Sequence, residues 1–328
     1  MKKLLFITIS FFFLSCTHDN NEKTLEGFAI GTTYSIKFIA TTEVDFRPKI
    51  DSIIKAINKS TSTYIENSDI SKINNGNSTV VIDKHFKSVY KKSKRIYNET
   101  NGYFDPTVGV LVNAWGFGPE NELKQVDSLK LDSLLNFVGF NKVKLVNNKI
   151  IKQHPEIYFD FNAIGKGYLV DCVGRMFEKH NIKNYLVEIG GEIRASGVNH
   201  LNKPWKIAIE NPNFDGTRTL AEVIKLNNES IATSGNYRKF RIDSLGNRFV
   251  HTINPKTGYA KESNLLSASV IGKMDCANVD GYATAFMAMG LAKTKEFLKQ
   301  HPELKALLIY TNENGELATY KTSNLITD

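Results

Sequence analysis

The sequence predicts an α+β fold, in one large domain or two intimately packed lobes. Helical periodicity is concentrated in the first half, strand-like runs crowd the middle, and a strongly apolar helix comes late; helices and strands are segregated, not alternating. No internal repeat and no Pro/Gly/Ser-rich linker divides the chain beyond residue 25, and about 300 residues suffice to bury a large core.

Residues 33–39 alternate apolar and polar, a strand pattern. Ile50, Ile53, Ile54 and Ile57 recur at helical spacing, so residues 44–58 read as a helix. Residues 86–97 read as a second one, ended by Gly102. Asp105-Pro106 looks like an N-cap followed by proline at the first helical position, with residues 111–115 on that helix. Residues 157–161 resemble a strand leading into Gly165-Lys166-Gly167, with a helix over 168–179. Residues 185–189 and 192–195 flank Gly190-Gly191, a tight-hairpin signal. Further strand candidates occupy 205–209, 221–226, 230–233, 238–242, 249–253 and 265–270. A helix over 276–289, rich in small and apolar residues, should be buried; a helix over 292–299 and strands near 307–310 and 317–320 close the chain.

At the N-terminus, Lys2 and Lys3 precede an apolar run over residues 4–14, followed by Ser15-Cys16. That is an export signal, too short for a membrane-spanning helix, which needs about 20 apolar residues. A cysteine directly after the small residue marks a lipoprotein-type signal; the alternative is an ordinary signal peptide with an incidental cysteine. Residues 1–15 are then expected to be removed, Cys16 to carry lipid, and residues 16–25 to form a polar tether to a domain over 26–328. Such a chain is anchored to a bacterial membrane on its extracytoplasmic, periplasmic side. Losing Lys2 and Lys3 lowers the formal charge from +8 to +6. The densest basic cluster, Lys91, Lys92, Lys94 and Arg95, lies on a predicted helix; a solvated face explains it better than nucleic-acid binding. Cys172 and Cys276 are expected as two buried thiols.

Four segments carry candidate chemistry. In Asp160-Phe161-Asn162-Ala163-Ile164-Gly165-Lys166-Gly167, a strand end and a glycine turn open a helix, offering amides and a lysine to phosphate oxygens, although taken alone the segment reads better as a plain helix start. In Asp280-Gly281-Tyr282-Ala283-Thr284, Asp and Thr share one helix face. An aspartate among apolar neighbours needs a partner, either an internal cap or ion pair, or a cation such as Mg²⁺ that takes oxygen ligands. His251 ends a strand before the turn Asn254-Pro255-Lys256-Thr257-Gly258; a strand histidine is more often structural, yet it can act as a general base near neutral pH. In Gly102-Tyr103-Phe104-Asp105-Pro106-Thr107-Val108-Gly109, Asp105 reads as a cap, and Tyr64 and Tyr103 as core aromatics or stacking platforms.

Together these segments resemble the ApbE family, the FAD:protein FMN transferases, many of them exported lipoproteins. The resemblance extends through Gly31-Thr32-Thr33-Tyr34, Ser62-Thr63-Tyr64, Ser68-Asp69-Ile70-Ser71, Trp115-Gly116-Phe117-Gly118, Glu188-Ile189-Gly190-Gly191-Glu192 and Thr233-Ser234-Gly235-Asn236-Tyr237, in the family's order. It implies an ApbE-like fold with mixed and antiparallel sheets. It also implies Mg²⁺ held by Asp280, Thr284 and the Ala163 carbonyl, and FAD as substrate, bound by Ile30, Tyr64, Phe104, Asp105, Asp160, Lys166 and Ile253. His251 matches the histidine that assists catalysis. The implied reaction moves FMN from FAD to a Thr or Ser hydroxyl of an acceptor flavoprotein of a membrane electron-transfer system, releasing AMP. Gly281 stands where small aliphatic residues are common, and the aromatic Tyr64 favours transfer over hydrolysis. The competing expectations are an FAD pyrophosphatase giving FMN and AMP, and a flavin-binding lipoprotein without catalysis.

Overall fold

The computed structural model describes residues 22–41, 43–120, 126–213, 215–236, 240–242, 248–260 and 263–327. Cys16, the signal, most of the tether, Tyr237 and the start of the strand expected at 238 lie outside them. The chain opens with β1 (Glu22–Ala29) and β2 (Thr32–Ile39), then α1 (Arg47–Thr61), α2 (Asp69–Asn74), α3 (Lys84–Glu99), α4 (Gly109–Ala114) and α5 (Ser128–Leu135). The hairpin β3 (Val143–Val146) and β4 (Lys149–Lys152) precedes α6 (Asn162–Lys179), β5 (Tyr185–Ile189) and β6 (Glu192–Ser196). Next come β7 (Trp205–Glu210), β8 (Leu220–Leu226), β9 (Ser230–Gly235), β10 (Phe240–Ile242), β11 (Arg248–Val250) and β12 (Leu265–Gly272). The chain ends with α7 (Cys276–Met289), α8 (Leu291–Gln300), β13 (Lys305–Thr311) and β14 (Leu317–Lys321).

The main sheet has eight strands in the order β1-β2-β5-β6-β9-β12-β13-β14, and every neighbouring pair is antiparallel. Its middle is thin. β6 and β9 pair only at Ile193–Ile231 and Arg194–Ser230, so two four-stranded halves meet at a short seam. This is the physical basis of two lobes. α6 packs on β5 and β6, α7 packs on β9 and β12, and the two helices lie against each other across the seam. The main core, including Ile36, Phe38, Phe177, Val187, Ala268 and Phe286, fills the space between these helices and the sheet. On the opposite face, the β7–β8 hairpin covers Ile193, Ile231, Ile271 and Leu307 with Trp205, Ile209 and Ile224. β12 is buried along its whole length, as expected of a strand covered on both faces.

Most elements match the sequence pattern within a few residues, and the departures have identifiable causes. β1 starts at Glu22, inside the stretch read as tether: Leu25 and Ala29 turn inward and the strand pairs residue for residue with β2. The expected strand over 157–161 is not one. Asn74 takes its place as partner, its side chain accepting from the Phe159 amide (2.8 Å) and donating to the Phe159 carbonyl (2.9 Å), while the Asp160 amide donates to Pro106 O. The backbone groups are satisfied by one side chain and a loop, so no ladder is needed. Asp105 does not cap a helix at Pro106. It holds a turn by accepting from the Thr107 amide and hydroxyl, and α4 begins only at Gly109.

α6 starts at Asn162, not 168, so Gly165, Lys166 and Gly167 are helical. The glycines therefore have different jobs. A Cβ on Gly167 would sit 2.6 Å from the Cys276 carbonyl oxygen and 2.8 Å from Ala277 Cα, whereas nothing lies within 4 Å of one on Gly165. Gly167 lets α6 and α7 touch backbone to backbone. Gly167→Ala is expected to lower stability by roughly 2 kcal/mol or more, since the clash is with main chain that cannot rotate away. Gly165→Ala is expected to raise it by up to about 1 kcal/mol by removing helix-interior glycine. Urea unfolding of the pair checks both signs; equal effects would refute the packing role.

Candidate active site

The site is built where α6 begins and α7 passes it. Asp171 is fully buried on α6; its two carboxylate oxygens accept from the Cys276 amide (2.8 Å) and the Ala277 amide (3.0 Å), the first turn of α7. One turn earlier on α6, the Gly167 amide donates to Asp280 Oδ2 (3.0 Å), one turn later on α7. The helices thus run antiparallel in a fixed register, and the next pair of turns brings Ala163 level with Thr284. Thr284 Oγ1 lies 3.3 Å from Ser234 Oγ on β9.

Asp280 is 3 % exposed. The Gly167 amide is its one hydrogen-bond partner among the described residues. Burial pushes its carboxyl well above the usual range, against the pull of Lys166 and the Gly167 amide. Lys166 places its ammonium 2.5 Å from Glu192 Oε1. Burial works against that ammonium, but Glu192 and Asp280 together outweigh it and raise its pKa. Glu192 is 2 % exposed, its Oε2 accepts no hydrogen bond, and burial raises its pKa too, with Asp280 adding to the effect and Lys166 opposing it. Two buried carboxylates and one ammonium leave an ionised cluster one positive charge short.

The donor set fits a hard divalent cation. A largely desolvated carboxylate with one hydrogen bond, hydroxyls at Thr284 and Ser234, and the main-chain carbonyl at Ala163 are all oxygen ligands of the kind Mg²⁺ takes. No group of three His, Cys, Asp or Glu side chains suited to a metal occurs among the described residues, and an Mg²⁺ site with one carboxylate does not need one.

Around this centre the fold places the other predicted residues unevenly. Asp160 accepts from the Asn162 amide (2.7 Å) and Nδ2 (3.1 Å) at the mouth of α6. Burial raises the phenol pKa of Tyr64 and of Tyr158, and the Asp160 carboxylate adds to both shifts. Tyr64 is 60 % exposed and lines, with Tyr158, a cleft of 510 Å³. Ile30 occupies the tip of the β1–β2 hairpin at φ +43°, a conformation that a β-branched side chain rarely adopts. That tip is close to Lys166, because a Cβ on Gly190 would meet both Thr32 (2.7 Å) and the Lys166 side chain (3.2 Å). Phe104 is in the core, its ring under Gly281 of α7. Asp105 is buried beside it, and Ile253 is buried in a satellite cluster with Leu111 and Leu131. His251 is half-buried, and its loop is tied to the end of α7 by Asn254 Nδ2 donating to the Ala288 carbonyl (3.3 Å), one turn beyond Thr284.

A family model described as "ApbE family" matches residues 30–308. The chain belongs to the ApbE family. A Haemophilus influenzae protein named FAD:protein FMN transferase is 36% identical, over 96% of this chain and 95% of its own length. One of the same name from Vibrio cholerae is 34% identical over 92% and 91%. Among solved structures, the flavin transferase ApbE from Vibrio cholerae superposes with a TM-score of 0.82 at 33% identity, covering 92% of this chain and 97% of that one. The Thermotoga maritima ApbE protein gives 0.81 at 26% identity, with coverage of 92% and 97%. The α+β architecture is thus that of this ApbE family, with its antiparallel sheet and flanking helices.

Sequence reasoning assigned no role to Glu192, Ser234 or Asp171, although the first two lie within motifs that carry the family resemblance. A glutamate following two turn glycines and preceding an apolar strand was a readable signal for Glu192. The two cysteines are free, as expected; Cys276 is buried and Cys172 half-buried.

Burial pushes the Asp105 carboxyl up to about 6, overriding the Thr107 and Phe140 hydrogen bonds that favour its ionised form. Its folded pKa lies above the ordinary aspartate range, so the folded state binds the extra proton and stability from this residue is lost as pH rises through about 6. Against Asp105→Asn as reference, the native chain should lose on the order of 1 kcal/mol between pH 5 and pH 7.5. Parallel urea unfolding curves at the two pH values test this; a pH-independent difference counts against it.

Proposed function

We propose that this chain, an enzyme of the FAD:protein FMN transferase class, cleaves FAD at its pyrophosphate and joins the FMN half to a Thr or Ser hydroxyl of an acceptor flavoprotein, releasing AMP. The observation that carries the reading is the convergence of Asp280, Thr284 and Lys166 at the N-terminal end of α6. An 18-residue helix presents positive potential at that end, where a diphosphate is best received. Asp280, Thr284 and the Ala163 carbonyl would hold Mg²⁺, which when bound supplies charge neutralisation for a pyrophosphate.

The remaining chemistry falls to side chains. Lys166, once a phosphate displaces Glu192, stabilises charge developing on the transferred phosphoryl group. The acceptor hydroxyl oxygen bonds to the FMN phosphorus as the bond to the AMP phosphate breaks. His251, on the loop fixed to the end of α7, accepts the hydroxyl proton. Tyr64, exposed at the cleft beside Asp160, stacks on a ring of the dinucleotide. Phe104, Asp105 and Ile253 support the walls, and Ile30 at the hairpin tip borders the cofactor half nearest Lys166. The lipoprotein-type pattern read from residues 2–16 supports a reaction outside the cytoplasm, with Cys16 anchoring the enzyme to the membrane that holds an electron-transfer acceptor. Among the described residues, no helix is long and apolar enough to cross a membrane.

Purified protein incubated with FAD, Mg²⁺ and a flavin-carrier domain should yield AMP and a carrier heavier by one FMN moiety, read by mass spectrometry. Asp280→Ala should lower the rate by at least about 100-fold if it removes charge stabilisation used in the transition state. Free FMN with an unlabelled carrier would make the protein an FAD pyrophosphatase. FAD retention without any AMP would make it a flavin-binding protein.

A further inference from the structure

Lys166 stands between two buried carboxylates, yet it pairs with only one. Its ammonium is 2.5 Å from Glu192 Oε1, while Asp280 feels it as a charge without forming a pair with it. Asp280 keeps an oxygen outside any hydrogen bond because the lysine is occupied elsewhere. The position of Glu192 is rigidly set. It follows the β5–β6 turn, where Gly190 and Gly191 have φ of +61° and +100°, values that glycine adopts at low cost. Gly190 is also pressed against the Lys166 side chain, since a Cβ there would lie 3.2 Å from Lys166 Cδ. From the other side, Arg194, two residues along β6, binds Asp171 Oδ1 (2.9 Å), so the strand carrying Glu192 is bolted to the helix carrying Lys166.

We propose that Glu192 is a positioning residue that draws Lys166 away from Asp280 and so keeps the Asp280 carboxylate available to a divalent cation. The physical reason is competition. A partly buried ammonium deprived of one carboxylate pairs with the next nearest, because a charge drawn partly out of water without a partner is costly. Without Glu192, that partner is Asp280, and an Asp280–Lys166 pair offers a cation a neutralised site. Glu192 also leaves Lys166 movable, since a phosphate oxygen can replace one carboxylate oxygen at the ammonium. The inference rests on the reading of Asp280 as a cation ligand and extends it to a residue that does not touch the cation.

The test is Mn²⁺ binding, followed by electron paramagnetic resonance on the intact purified protein without FAD, so that turnover does not enter. Native protein should bind Mn²⁺, Glu192→Gln should bind it at least tenfold more weakly, and Glu192→Asp should recover part of the loss. The double variant Lys166→Met/Glu192→Gln should regain native affinity or better, because the competing ammonium is gone. Lys166→Met alone should bind Mn²⁺ at least as tightly as the native chain, which keeps the idea testable if Glu192→Gln does not fold. Unchanged affinity in a folded Glu192→Gln protein overturns the proposal, and so does a loss that persists in the double variant. Failure of the native protein to bind Mn²⁺ would instead remove the cation reading itself, and the proposal with it.

Discussion

The arrangement of the site depends on one buried carboxylate. Asp171 reaches from α6 to receive the first two amides of α7, and Arg194 of β6 donates to the same carboxylate. α7 has no cap of its own: Asp275, at the N-cap position, makes no capping hydrogen bond and instead pairs with Lys92, Arg175 and Arg194. The helix start is thus capped from a distance, and the cap belongs to the helix it must be aligned with. Each hydrogen bond to an ionised group contributes roughly 1.5–3 kcal/mol net. The larger consequence is register. With Asp171 at residues 276 and 277, Gly167 falls at Asp280 and Ala163 at Thr284, with no freedom to slip by a turn.

This constraint explains why the seam can be thin. The two halves of the sheet share two residue pairs between β6 and β9, too little to define the relation of one lobe to the other. α6 belongs to one half and α7 to the other, and their contact through Gly167 does the aligning. The site therefore sits on the joint itself. Its charges are buried by both lobes, which is why Asp280 and Glu192 are both driven above their usual carboxylate range. A site of this kind keeps unmet electrostatic demand by construction, and that demand is what suits it to cationic and phosphate chemistry.

Legibility followed the range of the interactions concerned. The α7 boundaries read from the sequence, 276–289, are those of the structure, because a run of small and apolar residues ends at a glycine with positive φ. The β5–β6 hairpin was equally plain from its two glycines. The strand expected at 157–161 failed because its partner is the side chain of Asn74, 85 residues away, which no local pattern encodes. The short helix α2 and the β3–β4 hairpin carry weak local signals; the latter turns on Asn147 and Asn148 at positive φ, a weaker mark than Asn-Gly. Phe104, Asp105 and Ile253 came from resemblance, and the fold shows all three buried.

The sequence by itself determined the segregated α+β order and the placing of Asp280 and Thr284 on one face of one helix, since these depend on neighbours within a turn or two. Only the tertiary structure decided what that face meets. The amide that binds Asp280 comes from 113 residues away, and the cap that aligns its helix from 105. Glu192, which holds the lysine between them, lies on a strand whose inward side chains are chosen by pairing and twist. Periodicity says which residues turn toward a core; which charge waits there for them is settled by long-range packing.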